Sequence, residues 1–261
     1  MELFDTHAHL DHERCEVDLE AMLNRARSAG VTRVLTVASN ATFPGMKRPV
    51  EIANKNNNVW AAIGIHPHEA SNATPELLSY VEELVVSEER VNAIGEIGLD
   101  YHYDFSPREK QKEVFATQLQ IAKRLGAPVI LHVREAHDDA LEILARERKG
   151  EKWRGVVHCF SEGPQIAGEY LELGFHISFT GVITFKNAAQ IREAAATVPR
   201  DKVFLETDAP YLAPVPFRGK RCEPVHVVEI NKKLAEVWGV SPEESAHTTT
   251  HNALLLFGIP S

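Results

Sequence analysis

Several protein classes are excluded by what this chain lacks. Its three cysteines, Cys15, Cys159 and Cys222, stand far apart and form no CxxC pair. That argues against a disulfide-built scaffold and for a reducing compartment. No apolar run approaches the roughly 18 residues that span a bilayer. The start, Met1-Glu2-Leu3-Phe4-Asp5, has no basic segment followed by an apolar stretch, so a cytoplasmic protein with no membrane partner is expected. Basic residues are also in deficit: 28 Lys and Arg face 37 Asp and Glu, for a formal net charge of -9. A long basic groove is therefore not expected, although bound divalent cations would offset the balance at one spot. No linker, charge block or low-complexity segment divides the 261 residues, which read as one domain, 1–261.

What is present is alternation. Short β-branched or apolar runs occupy 2–6, 32–37, 59–65, 91–97, 128–132, 155–160, 175–180 and 203–207. Near-continuous apolar runs suit parallel strands buried on both faces, and most gaps are long enough for a crossover helix. Ser106-Pro107-Arg108-Glu109, Ser241-Pro242-Glu243-Glu244 and Thr74-Pro75 read as helix starts, with a capping hydroxyl before a proline. Gly30, Gly126 and Gly174 precede predicted strands, where helix C-caps are expected. Loops of consequence are expected at 98–106 and 209–222. Eight strands alternating with helices favour a single-domain TIM-type (β/α)8 barrel. A doubly wound sheet would carry a glycine-rich turn after its first strand, and none is seen.

Chemistry gathers at the strand ends. The first strand runs into Asp5-Thr6-His7-Ala8-His9, the fourth into Glu96, the fifth into His132, the sixth into His158 and the eighth into Asp208. In a barrel of this type the C-terminal strand ends form one mouth, so residues distant in sequence converge. His7 and His9, two apart on an extended chain, share a face and can reach one ion. A single strand-end histidine is more often a hydrogen-bonded rim residue. A set of five such strand ends resists that explanation, because unpaired buried charges are costly. Imidazoles with carboxylates suit Zn2+, Mn2+ and similar divalent ions.

Seven segments in order carry a resemblance: Asp5 to Leu10, Gly64 to His68, Gly95 to Tyr101, His132 to Ala136, His158 to Ser161, Glu206 to Leu212 and Arg218 to Lys220. Together they resemble the TatD family of metal-dependent deoxyribonucleases, within the amidohydrolase-like barrels. The resemblance runs nearly the length of the chain. It implies two divalent metal ions (Zn2+, Mn2+ or Mg2+), with His7, His9 and Asp208 on one and His132 and His158 on the other. Glu96 would bridge them, where other amidohydrolase branches use a carboxylated lysine. Asp208 would take a proton from the attacking water, so Asp208 and Glu96 count as the catalytic pair. Cys222 stands where the family usually has asparagine before Glu-Pro, a departure that bears on the 218–224 loop.

Phosphodiester cleavage needs positive charge and hydrogen-bond donors at the non-bridging oxygens. His66, His68, Arg134, Arg218 and Lys220 are the candidate substrate-binding residues, each weighed against a plain solvated side chain. Glu206 is expected either to orient a ligand or to form a structural ion pair. His102, between Tyr101 and Tyr103, is a candidate for stacking on a base. Cys159 reads as a small hydrophobe rather than a catalytic thiol. The expected substrate is DNA, or RNA, entered from a strand end, with no obligate protein partner. Two other readings remain open from the residues: an amidase, esterase or deacylase using the same site on a small molecule or aminoacyl ester, and a non-catalytic metal-binding scaffold.

Overall fold

The computed structural model describes residues 1–260. Eight parallel strands pair in sequence order: β1 (Leu3–Ala8), β2 (Val31–Val37), β3 (Val59–Ile63), β4 (Val91–Asp100), β5 (Val129–Arg134), β6 (Gly155–Val157), β7 (Phe175–Phe179) and β8 (Val203–Leu205). The ring closes just beyond β8. Ala8 and Ala209 form a parallel bridge, the His9 N–H donates to the Ala209 carbonyl at 2.7 Å, and the Asp208 N–H donates to the His7 carbonyl at 2.9 Å. Around the sheet run α1 (Glu13–Glu16), α2 (Leu19–Ser28), α3 (Phe43–Lys55), α4 (Pro75–Ser87), α5 (Arg108–Leu125), α6 (His137–Glu147), α7 (Pro164–Leu173), α8 (Ala189–Thr197), α9 (Val227–Trp238) and α10 (Pro242–Phe257). The fold is the TIM-type (β/α)8 barrel expected from the alternation, and every predicted strand is present. Among the described residues, no helix is long and apolar enough to cross a membrane.

The helix starts are as read at two of the three sites. Thr74 accepts from the Leu77 N–H and Ser241 from the Glu244 N–H. Ser106 is the correction. Pro107 takes the N-cap position of α5 with no side-chain bond, while the buried Ser106 hydroxyl donates to the His68 carbonyl at 2.8 Å and accepts from the Ser71 N–H at 3.0 Å. It satisfies the loop after β3, whose backbone groups would otherwise be orphaned on burial. The predicted end of β4 also shifts, from Ile97 to Asp100, so the loop starts later than 98. Gly98 reads as a strand breaker, but here it lets β4 approach β5: its φ is +147°, and a Cβ there would sit 1.9 Å from the His132 carbonyl oxygen.

The barrel interior changes character along its axis. At the floor, Phe4, Leu35, Ala62, Ala93, Ile130, Val156 and Phe204 pack with Ala253, Leu256, Phe257 and Ile259 from the end of the chain. Phe257 touches both Phe4 and Phe204, at ring separations of 6.2 and 5.8 Å. Going up β1, Phe4 and His7 both face inward although three residues apart, which strict alternation forbids. The β1–β2 register is irregular between Asp5 and Ala8. The same offset separates Ala93 from Glu96, where β4 and β5 slip register between Ile94 and Ile97. Such irregularities re-aim side chains, and here they turn His7 and Glu96 into the mouth.

Candidate metal centre

His7, His9, Glu96 and Asp208 meet above the apolar floor. Glu96 Oε2 lies 3.5 Å from His7 Nε2 and 3.8 Å from His9 Nε2. Asp208 Oδ1 lies 3.9 and 3.6 Å from the same two atoms, which are themselves 3.3 Å apart. These separations are long for good hydrogen bonds. Three of them, 3.3, 3.5 and 3.6 Å, match the edges, about 3.3–3.6 Å, of a tetrahedron whose N and O atoms sit about 2.0–2.2 Å from a central ion, and the other two, 3.8 and 3.9 Å, are slightly longer. The His9 ring is oriented for ligation. Its Nδ1 donates to the Val37 carbonyl at 3.1 Å, which leaves the lone pair on Nε2.

The other oxygen of Glu96 faces a second group. Glu96 Oε1 is 2.7 Å from His132 Nδ1, 3.3 Å from His158 Nε2 and 3.6 Å from His66 Nε2. The His158 ring stacks on His7 with centroids 3.7 Å apart. Its far nitrogen, Nδ1, lies 2.8 Å from Glu206 Oε1, at an angle too poor for a full hydrogen bond. Glu206 Oε1 also accepts the Cys159 N–H at 2.6 Å, so the carboxylate braces the turn that carries His158. One buried carboxylate therefore presents separate oxygens to two sets of imidazoles. His7, His9 and Glu96, and likewise Glu96, His132 and His158, hold donor atoms close enough together to share an ion.

The electrostatics fit cations. Burial opposes charge throughout, yet His158, His66 and His132 hold the Glu96 carboxyl well below its ordinary range. Asp208 is lowered against burial by the His9 hydrogen bond and the nearby imidazoles. His9 is likewise opposed by burial, but Asp208 and Glu96 raise it to about 9. A field that binds a proton this firmly also favours a divalent ion in the proton's place. Burial and the charge of His158 lower His7, so it stays neutral and ligand-ready. The donor set of imidazoles and carboxylates suits Zn2+ or Mn2+. Asp208 sits at φ +59° and Cys159 at +47°, so each strand exit turns sharply beside a candidate ligand. Strained conformations of this kind collect at functional sites.

The remaining sequence candidates fall unevenly. His66 accepts the His68 N–H on Nδ1 at 3.1 Å, so its Nε2 carries the proton and points at Glu96 as a donor. His68 spends its Nε2 on Asp100 Oδ2 at 2.9 Å. Arg134, at the end of β5, is exposed and lies over the Tyr103 ring at 4.9 Å. Arg218 is exposed and lies over Phe185 at 4.1 Å. Lys220 is exposed and lines a groove of about 540 Å³ with Arg25, Arg221, Glu223 and Glu229. Its Nζ lies 6.0 Å from the centre of the Phe217 ring. His102 is occupied by Glu135, at 2.7 Å from Nδ1. Cys222 is buried, with its Sγ 3.8 Å from the Thr207 carbonyl.

Asp100 is not among the residues singled out from the sequence. It is fully buried; its Oδ2 lies 2.9 Å from both His132 Nε2 and His68 Nε2, and its Oδ1 accepts the N–H groups of His102 and Tyr103. A usable signal exists, because on a strand Asp100 shares the parity of Glu96. Asp5 is a second such residue. It accepts the Thr207 hydroxyl at 2.6 Å and the Thr207 N–H at 2.8 Å, joining β1 to the segment that leaves β8, and burial raises its carboxyl to about 8.

Comparison with known proteins agrees with this architecture. The family described as TatD related DNase matches residues 4–258. A Bacillus subtilis protein named as the uncharacterized metal-dependent hydrolase YabD is 42% identical over 257 residues, covering 98% of this chain and 99% of its own. A Klebsiella pneumoniae protein named as the 3'-5' ssDNA/RNA exonuclease TatD is 34% identical over 263 residues, covering 98% of each. The crystal structure of YjjV, a TatD homologue from Escherichia coli, superposes with a TM-score of 0.91 at 33% identity, covering 99% of this chain and 98% of that one. The chain belongs to the TatD-related DNase family of metal-dependent hydrolases.

Proposed function

We propose that the protein hydrolyses phosphodiester bonds at strand ends of DNA or RNA, using two divalent cations. His7, His9 and Asp208 would hold one ion, His132 and His158 the other, and Glu96 would bridge them. The observation that carries this reading is the split of the Glu96 carboxylate, one oxygen toward each histidine set. When bound, ions there would supply Lewis acidity at the phosphoryl oxygen and acidify a water.

The protein's own groups do the rest. Asp208, held charged by its neighbours, accepts the proton of the attacking water. A carboxylate suffices as acceptor once that water is acidified. His66 is kept neutral with a pKa of about 4 by burial and by the charges of His132 and His68, against the pull of Glu96. Its Nε2–H donates to a non-bridging phosphate oxygen. Arg134 and Arg218 on the rim supply charge for neighbouring phosphates. A net charge of -9 suits a substrate gripped at one point, so salt dependence should be shallow. The strand-end, single-stranded activity named for the Klebsiella relative supports the same choice.

The test is release of mononucleotides from single-stranded DNA by protein loaded with Mn2+, Zn2+ or Mg2+, compared with Asp208→Asn. Equal rates for the two proteins would refute the mechanism. Hydrolysis confined to carboxyl esters or amides in a parallel panel would assign the site to an esterase or amidase.

A further inference from the structure

The loop after β4 carries two aromatic side chains for which the metal centre has no use. Tyr103 is 49% exposed and Phe105 67% exposed. Their rings are nevertheless stacked on each other, with centroids 5.2 Å apart and planes 15° from parallel. So much aromatic surface facing water marks a contact site more than a packing site. His68 stands edge-on to both rings, at 5.4 and 4.8 Å. The Arg134 guanidinium lies over Tyr103 at 4.9 Å.

The pair is tied to the centre. His68 and His132 share Asp100 Oδ2, at 2.9 Å each, and their rings are 6.0 Å apart. Phe105 is thus two ring contacts from a candidate ligand, about the reach of one nucleotide. The main chain under the pair is held by the same residue, since Asp100 Oδ1 accepts the Tyr103 N–H at 2.9 Å. A preorganised platform loses little entropy when something docks on it.

We infer that Tyr103 and Phe105 form a stacking platform for an unpaired base beside the scissile bond, with Arg134 placed for the adjoining phosphate. This rests on the phosphodiesterase reading and names the side chains that would hold the base. A base inside a duplex has both faces covered, so the platform selects single strands or frayed ends. Every base offers a π face, so preference among bases is weak. A protein partner fits the patch poorly, because two part-exposed rings fall far short of the roughly 800 Å² per partner of a stable interface.

Two measurements test the platform with Phe105→Ala, Phe105→Leu and Phe105→Trp. The first is anisotropy of a labelled short single-stranded oligonucleotide with the protein in EDTA. The second is KM for its cleavage by divalent-loaded protein. Alanine and leucine should weaken binding and raise KM about tenfold, from the stacking of one base; tryptophan should restore both. The effect should vanish on an abasic oligonucleotide of the same length. Unchanged Kd and KM in Phe105→Ala, with cleavage retained, would overturn the platform and leave the nuclease reading intact. If the wild type cleaves no nucleic acid and its binding is indifferent to Phe105, both fail. A dimer lost in Phe105→Ala at unchanged Kd would assign the patch to self-association instead.

Discussion

At the barrel floor, Phe4, Phe204 and Phe257 fill the interior with apolar contacts. A few residues further along the same strands, the mouth buries Glu96, His132, His158 and Asp208 with little apolar gain. Sealing the floor releases water from hydrocarbon, which stabilises the fold directly. Burying charge at the mouth costs solvation that mutual pairing only partly repays. Stability and chemistry are therefore assigned to opposite ends of one barrel. Even the histidines differ. His176 at the floor lies against Phe204, with ring centroids 4.8 Å apart. Burial and the charge of Lys202 lower it to about 4, whereas His9 in the mouth is raised to about 9 by Asp208 and Glu96 despite its burial.

Substitutions at the two ends should separate these roles. Asp208→Asn should lower kcat by about 10²–10⁴, the range for a lost proton acceptor, with a smaller change in Tm than a floor substitution produces. Phe204→Ala should do the reverse, costing about 3–5 kcal/mol of stability, or roughly 10 °C in Tm, with kcat at moderate temperature nearly unchanged. Calorimetry beside steady-state rates checks both, and a large kcat loss in Phe204→Ala would break the division.

Metal should stabilise through the mouth alone. At a free ion concentration about 100 times Kd, stability should rise by about 2.7 kcal/mol per site, read as a Tm increase of several degrees. Glu96→Gln should lose most of that gain and Phe204→Ala should keep it. Equal gains in all three proteins would place the ions elsewhere.

A pH-dependent effect, comparable to that of one metal site, belongs to His176. Its folded pKa lies below the unfolded value, so the unfolded chain binds more protons between about pH 6.5 and 4. Stability from this group is then complete above pH 6.5 and is lost as pH falls toward 4, by up to about 3 kcal/mol. His176→Gln should flatten that part of the stability–pH curve in urea titrations, and an unaltered slope would contradict the assignment.

Much of this is legible in the sequence, for identifiable reasons. Eight apolar runs with turn signals between them specify strands buried on both faces, and their positions in the fold follow. The ligand candidates are legible because each stands at or just past an apolar run, where a barrel must open. Asp100 is hidden because Gly98 looks like a strand end, whereas in three dimensions its missing Cβ is what lets β4 continue beside His132. Ser106 misleads because a buried hydroxyl goes to whichever backbone group is unsatisfied nearby, and here that lies on the preceding loop. Local signals carry the elements, and tertiary contacts decide the exceptions.

The most direct measurement is anomalous diffraction from crystals grown with Mn2+, recorded for the wild type. Two peaks about 3.5–4 Å apart, one on each side of the Glu96 carboxylate, are expected. A single peak, or peaks away from Glu96, would contradict the account.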